Sequence, residues 1–208
     1  MIISFIGAPG SGKSTQIARI SEYLSEKHKP IILRVPKLIN LDKEVVSYLT
    51  AEEIETIKQH KELARKSKDE GLLAPIIYDA ILFELIPRIK DKSFIILDGM
   101  PRGYKQAELF LNIDKVLNQT CFFHLKFIEN AYESSVSRQF YRESIKHGVE
   151  KAELKLKKFI NKYNVYSEDT LSGVSYLFNQ GANIYMLNAV ENEASIHKQI
   201  CSSLDRII

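Results

Sequence analysis

The sequence predicts an α/β fold in which a central parallel sheet is covered by helices on both faces, and three observations carry that prediction. The strand candidates are short, continuous apolar runs, as in strands buried on two sides. Stretches with helical spacing separate them, the order that builds a parallel sheet. Two of the runs, Ile2 to Ile6 and Ser93 to Leu97, pass directly into glycine-bearing segments, and parallel sheets hold ligands at the carboxyl ends of their strands.

The elements follow in order. After the first run, Ile17, Ile20 and Leu24 share one side of a helix over residues 13–27, which Pro30 stops. Ile31, Ile32 and Leu33 form a second buried strand, and Val35-Pro36 turns the chain out of the sheet. Residues 42–71 are densely charged, and Thr50 and Glu53 have the spacing of a capping box that opens a helix to about Glu70. This stretch reads as a helical excursion outside the sheet. Pro75 suits the first turn of a helix through Ile89, and the strand beginning at Ser93 ends at Asp98-Gly99. Helical spacing over 106–117 leads to a strand over 122–127. A helix from Tyr132 then carries Val136 and Phe140 together with Arg138 and Arg142, and Tyr132, Phe140 and Tyr141 are expected to pack. Beyond Gly148 the pattern predicts a lysine-rich helix to about Tyr166, a separate helix over 173–179, a strand over 184–187 and a terminal helix over 191–207.

Composition narrows the class. The chain has 208 residues, enough for one large domain with a small inserted lobe. With 45% apolar and 26% charged residues it has the make-up of a soluble globular protein, and no apolar run approaches the ~20 residues of a membrane span. The opening residues lack the basic segment and small-residue cleavage site of an export signal. Cys121 and Cys201 are far apart with no C-x-x-C spacing, which predicts neither zinc nor a disulfide framework and fits a reducing, cytoplasmic setting. A net charge of +3, from 29 basic and 26 acidic residues, is too balanced to call for nucleic acid or an anionic membrane as partner. A monomer is expected.

Gly7-Ala8-Pro9-Gly10-Ser11-Gly12-Lys13-Ser14 satisfies G-x-x-x-x-G-K-[ST] at every fixed position, with a strand before it and a helix after it. Glycines 7, 10 and 12 let successive backbone N–H groups converge on phosphate oxygens without side-chain obstruction. Lys13 neutralises the outer phosphates, Ser14 offers its hydroxyl toward Mg²⁺, and the helix presents its positive end to the anion. The expected ligand is the triphosphate of ATP or a close relative. Such a loop serves kinases, GTPases and motor ATPases alike, so a second motif must discriminate.

That motif is Asp98-Gly99-Met100-Pro101-Arg102, followed by Gln106-Ala107. Asp98, a carboxylate at a buried strand end beside a phosphate loop, is a metal-side residue by position, its charge offset by a hydrated Mg²⁺. Together with Gly7 to Gln16, Thr15 included, this block resembles the adenylate kinases and related nucleoside monophosphate kinases. Their loop reads G-x-P-G-x-G-K-x-T-Q and their later segment D-G-F/Y-P-R followed by Q-A. The likeness covers most of the chain in element order. It is residue-specific in these blocks, in Gly71-Leu72-Leu73-Ala74-Pro75 and in the pair Arg138 and Arg142. It implies a three-layer P-loop nucleotide kinase fold with a core of residues 1–34, 75–138 and 157–208. A helical acceptor-binding insertion over 35–74 and a short lid over 139–156 complete it, both expected to move on binding. The resemblance further implies ATP with Mg²⁺ as donor and a nucleoside monophosphate as acceptor. On that pattern Arg102 reaches the acceptor phosphate, Gly99 lies on the acceptor side, Gln106 meets the acceptor base, and Arg138 binds ATP.

Arg138 and Arg142 lie four apart, so both guanidinium groups project from one helix face and can meet the charge that spreads over a transferring phosphoryl group. Lys13, Arg102, Arg138 and Arg142 form the expected catalytic set. Two segments depart from the family pattern. Where relatives carry G-D-x-L-R, this chain has Arg34-Val35-Pro36-Lys37-Leu38-Ile39, in which Arg34 is the candidate replacement cation and Lys37 the other one available. Where relatives carry R-x-D-D and a further arginine in the lid, the register gives His147, Val149, Glu150 and Lys158, a weaker set of charges in a lid too short for a bound metal. AMP is the expected acceptor, with UMP, CMP or another monophosphate as alternatives. An ATP-binding relative with little transfer is the other class left open.

Overall fold

The computed structural model describes residues 1–25, 29–66, 76–89, 94–112 and 120–207. Five strands, β1 (Ile2–Gly7), β2 (Ile31–Leu33), β3 (Ile95–Asp98), β4 (Thr120–Lys126) and β5 (Asn183–Asn188), form one sheet in the order β2-β3-β1-β4-β5. All neighbouring pairs are parallel. In register, Leu33 faces Leu97, Phe5 faces Asp98 and Gly7 faces Leu125, so the strands end together along one edge. The chain leaves β1 for the β2 side and later crosses from β3 to β4 on the other side. The crevice beyond β1 is therefore the point where strand order reverses, which is where such sheets hold ligands.

The helices are α1 (Lys13–Ser25), α2 (Val35–Ile39), α3 (Lys43–Val46), α4 (Ala51–Lys66), α5 (Ile76–Ile89), α6 (Tyr104–Asn112), α7 (Ala131–His147), α8 (Val149–Leu154), α9 (Leu156–Val165), α10 (Leu171–Asn179) and α11 (Glu193–Leu204). Because successive strand residues face opposite ways, the sheet feeds two cores. Ile2, Ile6, Leu33, Ile95, Leu97 and Phe122 pack with α2, α5, α6 and α10. Ile3, Phe5, Ile96, Phe123 and Leu125 pack with α1 and α11. The three-layer α/β fold expected from the sequence is the fold observed. No helix among the described residues is long and apolar enough to cross a membrane.

The capping box forms as predicted: the Glu53 backbone N–H donates to Thr50 Oγ1 at 3.2 Å, and the Thr50 N–H donates to Glu53 Oε2 at 2.7 Å. The expected end of that helix at Glu70, the Gly71 to Pro75 block, the strand start at Ser93 and the helix over 113–117 lie outside the described residues.

Several expectations need correction. Val35-Pro36 does not turn as a loop but begins α2, because a proline in the first helical turn lacks only an N–H that has no partner there anyway. The lysine-rich helix is two helices, α8 and α9, divided at Lys155. No break separates residues 166 and 173: a single π turn, Tyr166–Thr170, joins α9 to α10. On α7 the buried residues are Ser135 and Gln139 rather than Val136 and Phe140. The cause is what α7 faces. Ser135 Oγ donates to the Pro9 carbonyl at 2.6 Å and Gln139 Nε2 to the Ser135 carbonyl at 3.3 Å, so this side of the helix packs on the glycine loop and supplies it a donor through Ser135. Tyr141, expected to pack, is 68% exposed, while Tyr132 rests edge-on against Tyr163.

A Cβ added at Gly173 on α10 would stand 2.7 Å from both the carbonyl carbon and oxygen of Gly103. Backbone cannot yield as a side-chain tip does. Gly173→Ala is therefore expected to destabilise the protein by about 1–3 kcal/mol, read as a lower urea midpoint at unchanged slope.

Candidate active site

The glycine loop folds where β1 ends and α1 begins. Gly10 and Gly12 have φ of 79° and 92°, a region that L side chains rarely adopt. At Gly7 an added Cβ would meet the Leu125 carbonyl oxygen at 2.4 Å. The loop is closed by Ser11 N–H donating to the Ala8 carbonyl, and Gln16 N–H to that of Gly12, each at 3.1 Å. The Ser11 hydroxyl is buried and finds no partner among the described residues, an unusual state for a buried polar group unless a ligand completes it. Lys13 Nζ turns back on its own loop, donating to the carbonyls of Gly7 at 2.7 Å and Ala8 at 2.9 Å. Burial lowers its pKa from 10.5 to about 8; Asp98 opposes that shift, and Arg102 and Arg142 add to it.

A cavity of about 410 Å³ lies over the loop, lined by Pro9 to Thr15 with Arg138, Gln139, Arg142 and Lys162. A second cleft, of about 350 Å³, runs from Gly7, Pro9 and Lys13 to Arg34, Pro36, Asp98, Gly99 and Arg102, with Lys162, Tyr166 and Thr170 on its far wall. Pro9, Lys13 and Lys162 line both. Lys13, Arg34, Arg102 and Lys162 thus face one cleft beside a single carboxylate, Asp98.

The second motif is held by backbone contacts. Ser4, buried in β1, donates through its hydroxyl to the Met100 carbonyl, and Met100-Pro101 is a cis peptide. Arg102 Nε donates to the Gly99 carbonyl at 3.1 Å. Gln106, expected at the acceptor base, instead caps its own helix: its Oε1 accepts the Arg102 backbone N–H at 2.7 Å, and it lines neither cavity. Arg34 Nη1 lies 3.9 Å from Asp98 Oδ2, because β2 and β3 end side by side in register. Lys37 turns away and pairs with Glu44.

The two arginines of α7 share a face but not a task. Arg138 Nη1 donates to the Ala189 carbonyl at 2.9 Å, and its guanidinium lies 5.1 Å from the Phe127 ring centroid. Arg142 has no such tie among the described residues, and its charge is felt at Lys13 and Lys162. In the lid register His147 lies 3.7 Å from Glu143 instead of facing the site. Lys158 lines neither cavity; the cation that does is Lys162, one turn further on, whose pKa burial lowers, with Lys158 and Arg142 adding to the effect.

The sequence reading missed Ser135, Gln139, Lys162, Tyr166 and Thr170. Ser135 and Gln139 carried a signal as polar residues on the helix side facing the loop. Lys162, Tyr166 and Thr170, spaced by four, carried another.

Ser14, exposed on the loop cavity, and Asp98, whose side chain is 19% exposed, supply hard oxygen donors. Among the described residues no group of three or more His, Cys, Asp or Glu side chains could hold a metal alone. That donor set fits Mg²⁺, which keeps water and phosphate oxygens among its ligands.

The chain is similar to adenylate and thymidylate kinases. It is 33% identical over 119 residues to the thymidylate kinase of Rickettsia canadensis, covering 56% of this chain and 54% of that protein. Against the adenylate kinase of Caldicellulosiruptor bescii it is 33% identical over 135 residues, 57% of this chain and 52% of the other. Adenylate kinase isoenzyme 1 of Rattus norvegicus is 22% identical over 208 residues, 99% of this chain and 95% of the other. The chain therefore spans about half the length of the two bacterial relatives at the higher identity. No family model matches.

Lys13 gives this site a pH signature. A bound polyphosphate favours the ammonium, so it raises a pKa that starts at about 8 in the free protein. Affinity for Mg-ATP should fall as pH rises through 8, by up to about tenfold per unit, and binding at pH 8 should take up protons. Calorimetry at pH 8 in two buffers of different ionisation enthalpy measures that uptake, which Lys13→Met should abolish.

Proposed function

We propose that this protein transfers the γ-phosphoryl group of ATP to a nucleoside monophosphate, with AMP as acceptor in the reaction ATP + AMP = 2 ADP. The observation that carries this reading is the pair of cavities joined through Lys13, Pro9 and Lys162: one lies on the phosphate loop and the other leads to Arg102. An enzyme that hydrolyses its nucleotide needs one phosphate site; one that moves a phosphoryl group between nucleotides needs two that meet. The similarity to adenylate and thymidylate kinases supports the same class.

On this reading the glycine loop, Lys13, Arg142 and Ser14 hold the donor phosphates, and Arg138 against Phe127 borders the donor side. Arg102 and Arg34 hold the acceptor phosphate near Gly99, and Gln106 braces the Arg102 backbone from its helix. An oxygen of the acceptor phosphate attacks the γ-phosphorus, and the bond to the bridging oxygen breaks, leaving a diphosphate on each side. The nucleophile is already an anion, so no general base is required and the protein contributes position and positive charge. Lys13, Arg102, Arg142 and Lys162 are placed to meet the charge that spreads over the transferring group. Ser14, and Asp98 through water, would hold Mg²⁺, which supplies charge neutralisation on the outer phosphates.

The residues of the proposed lid, 139–156, form the end of α7, the whole of α8 and the first residue of α9. With His147 engaged by Glu143, and with a lysine rather than an arginine at the junction of the two cavities, a weakly transferring ATP-binding protein is the second reading.

Incubation with Mg-ATP and each of AMP, dTMP, CMP, UMP and GMP, following diphosphate formation, tests both. Turnover should be highest with AMP; a different best acceptor would reassign the substrate, and ATP binding without turnover on any would favour the second reading. Lys13→Ala and Arg102→Ala should each lower kcat/KM by at least about 100-fold, the cost of removing one preorganised electrostatic donor. Unchanged turnover in both variants would refute the site assignment.

A further inference from the structure

Tyr166, the first residue of the π turn, has its ring on the wall of the cleft and its hydroxyl 2.8 Å from Nε2 of His124. His124 is 1% exposed within β4, and its Nδ1 has no partner among the described residues. Burial, with Lys126 and Lys13 adding, lowers the imidazole pKa to about 4, and burial raises that of the Tyr166 hydroxyl. The bond therefore joins two neutral groups across the physiological range. A buried polar pair of this kind adds little net stability over an apolar pair of the same shape, so stability alone does not account for it.

Geometry does. Four residues before Tyr166, Lys162 lines both cavities. Four residues after it, Thr170 Oγ1 donates to the Arg102 carbonyl at 3.0 Å, and Gly173 then seats on Gly103. In an uninterrupted α-helix, at about 100° per residue, the eight steps from Lys162 to Thr170 would leave the two side chains about 80° apart around the axis. The extra residue accommodated by a π turn brings them to within about 20°. One helix face can then carry both the cation directed at the phosphates and the contact that holds the Arg102 loop.

We propose that Tyr166, anchored to the sheet by His124, is a positioning residue: it fixes the π turn so that Lys162 and Arg102 stand at a set separation on either side of the path taken by the phosphoryl group. The kinetic form of this proposal rests on the kinase reading above; its structural form does not.

Tyr166→Phe keeps the ring and removes the anchor. With Mg-ATP and the acceptor, kcat should fall by about 10- to 100-fold, the scale of loss when reacting groups are displaced by about an ångström, while KM for ATP rises by no more than several-fold. His124→Phe should behave alike, the double variant should lose little more, and His124→Gln, which keeps a polar atom near the position of Nε2, should recover part of the rate. In a Lys162→Ala background Tyr166→Phe should cost almost nothing further, because residues acting as a unit are not additive. Full additivity there, or an unchanged kcat in Tyr166→Phe, would overturn the proposal.

If the unmodified protein moves no phosphoryl group to any monophosphate, the kinase reading fails by itself and two other measurements still decide the anchor. These are NMR titration of the Lys162 ammonium in the free protein and the affinity for inorganic tripolyphosphate. Tyr166→Phe should move the Lys162 pKa toward its ordinary value and weaken tripolyphosphate by several-fold; no change in either would overturn the anchor.

Discussion

The site depends on keeping a group of like charges together before any anion arrives. Lys13, Arg34, Arg102 and Lys162 line one cleft with Asp98 as its single carboxylate, and Arg142 adds its charge from the neighbouring cavity. In a partly desolvated crevice that arrangement is costly, and the structure shows how it is held. Cations are tied to backbone carbonyls: Lys13 to those of Gly7 and Ala8, Arg102 to that of Gly99, and Arg138, at the edge, to that of Ala189. A carbonyl offers a dipole rather than a full opposite charge, so it orients a cation without neutralising it. The field stays available for phosphate, and burial, with Arg102 and Arg142 adding and Asp98 opposing, holds the Lys13 pKa down at about 8.

How much of this was legible in the sequence follows from which rule each part obeys. The glycine loop and the Asp98 to Arg102 block obey local rules: residue type and spacing fix the backbone path, and the flanking strands fix where they stand, so both were readable. A parallel sheet covered on both faces followed from continuous apolar runs, whereas the strand order did not. Lys162 was not readable by counting from the lid motif, because the count pointed to Lys158 and only the packing of α9 shows which lysine faces inward. Ser135 and Gln139 escaped because apolar periodicity assigns the inward face to Val136 and Phe140, whereas that helix packs on the glycine loop, where the Pro9 carbonyl accepts from Ser135. His124 escaped for the same reason in a strand: a polar residue inside an apolar run has meaning only once its partner, forty-two residues later in the chain, is known.

The arginine pair shows the limit of spacing as an argument. Four residues apart on one helix, Arg138 and Arg142 do share a face, as predicted. Their environments then divide them. Ala189 follows β5 and Phe127 follows β4, and together they draw the Arg138 guanidinium aside, while Arg142, one turn along, meets no comparable pair among the described residues. The helix period sets direction to within a turn; what lies across the gap sets the partner.

Parallel register explains how the proposed acceptor site keeps a second cation after the usual segment has changed. Leu33 and Leu97 are opposite one another, so the next residues, Arg34 and Asp98, emerge side by side at the sheet edge whatever sequence follows. The start of α2 at Val35, with Pro36 in its first turn, leaves Arg34 in extended backbone at the mouth of the cleft and carries Lys37 away to Glu44. A cation at the end of β2 is held by the sheet, whereas one on a helical excursion moves with that excursion. Arg34 beside Asp98 therefore ties the acceptor side to the rigid core.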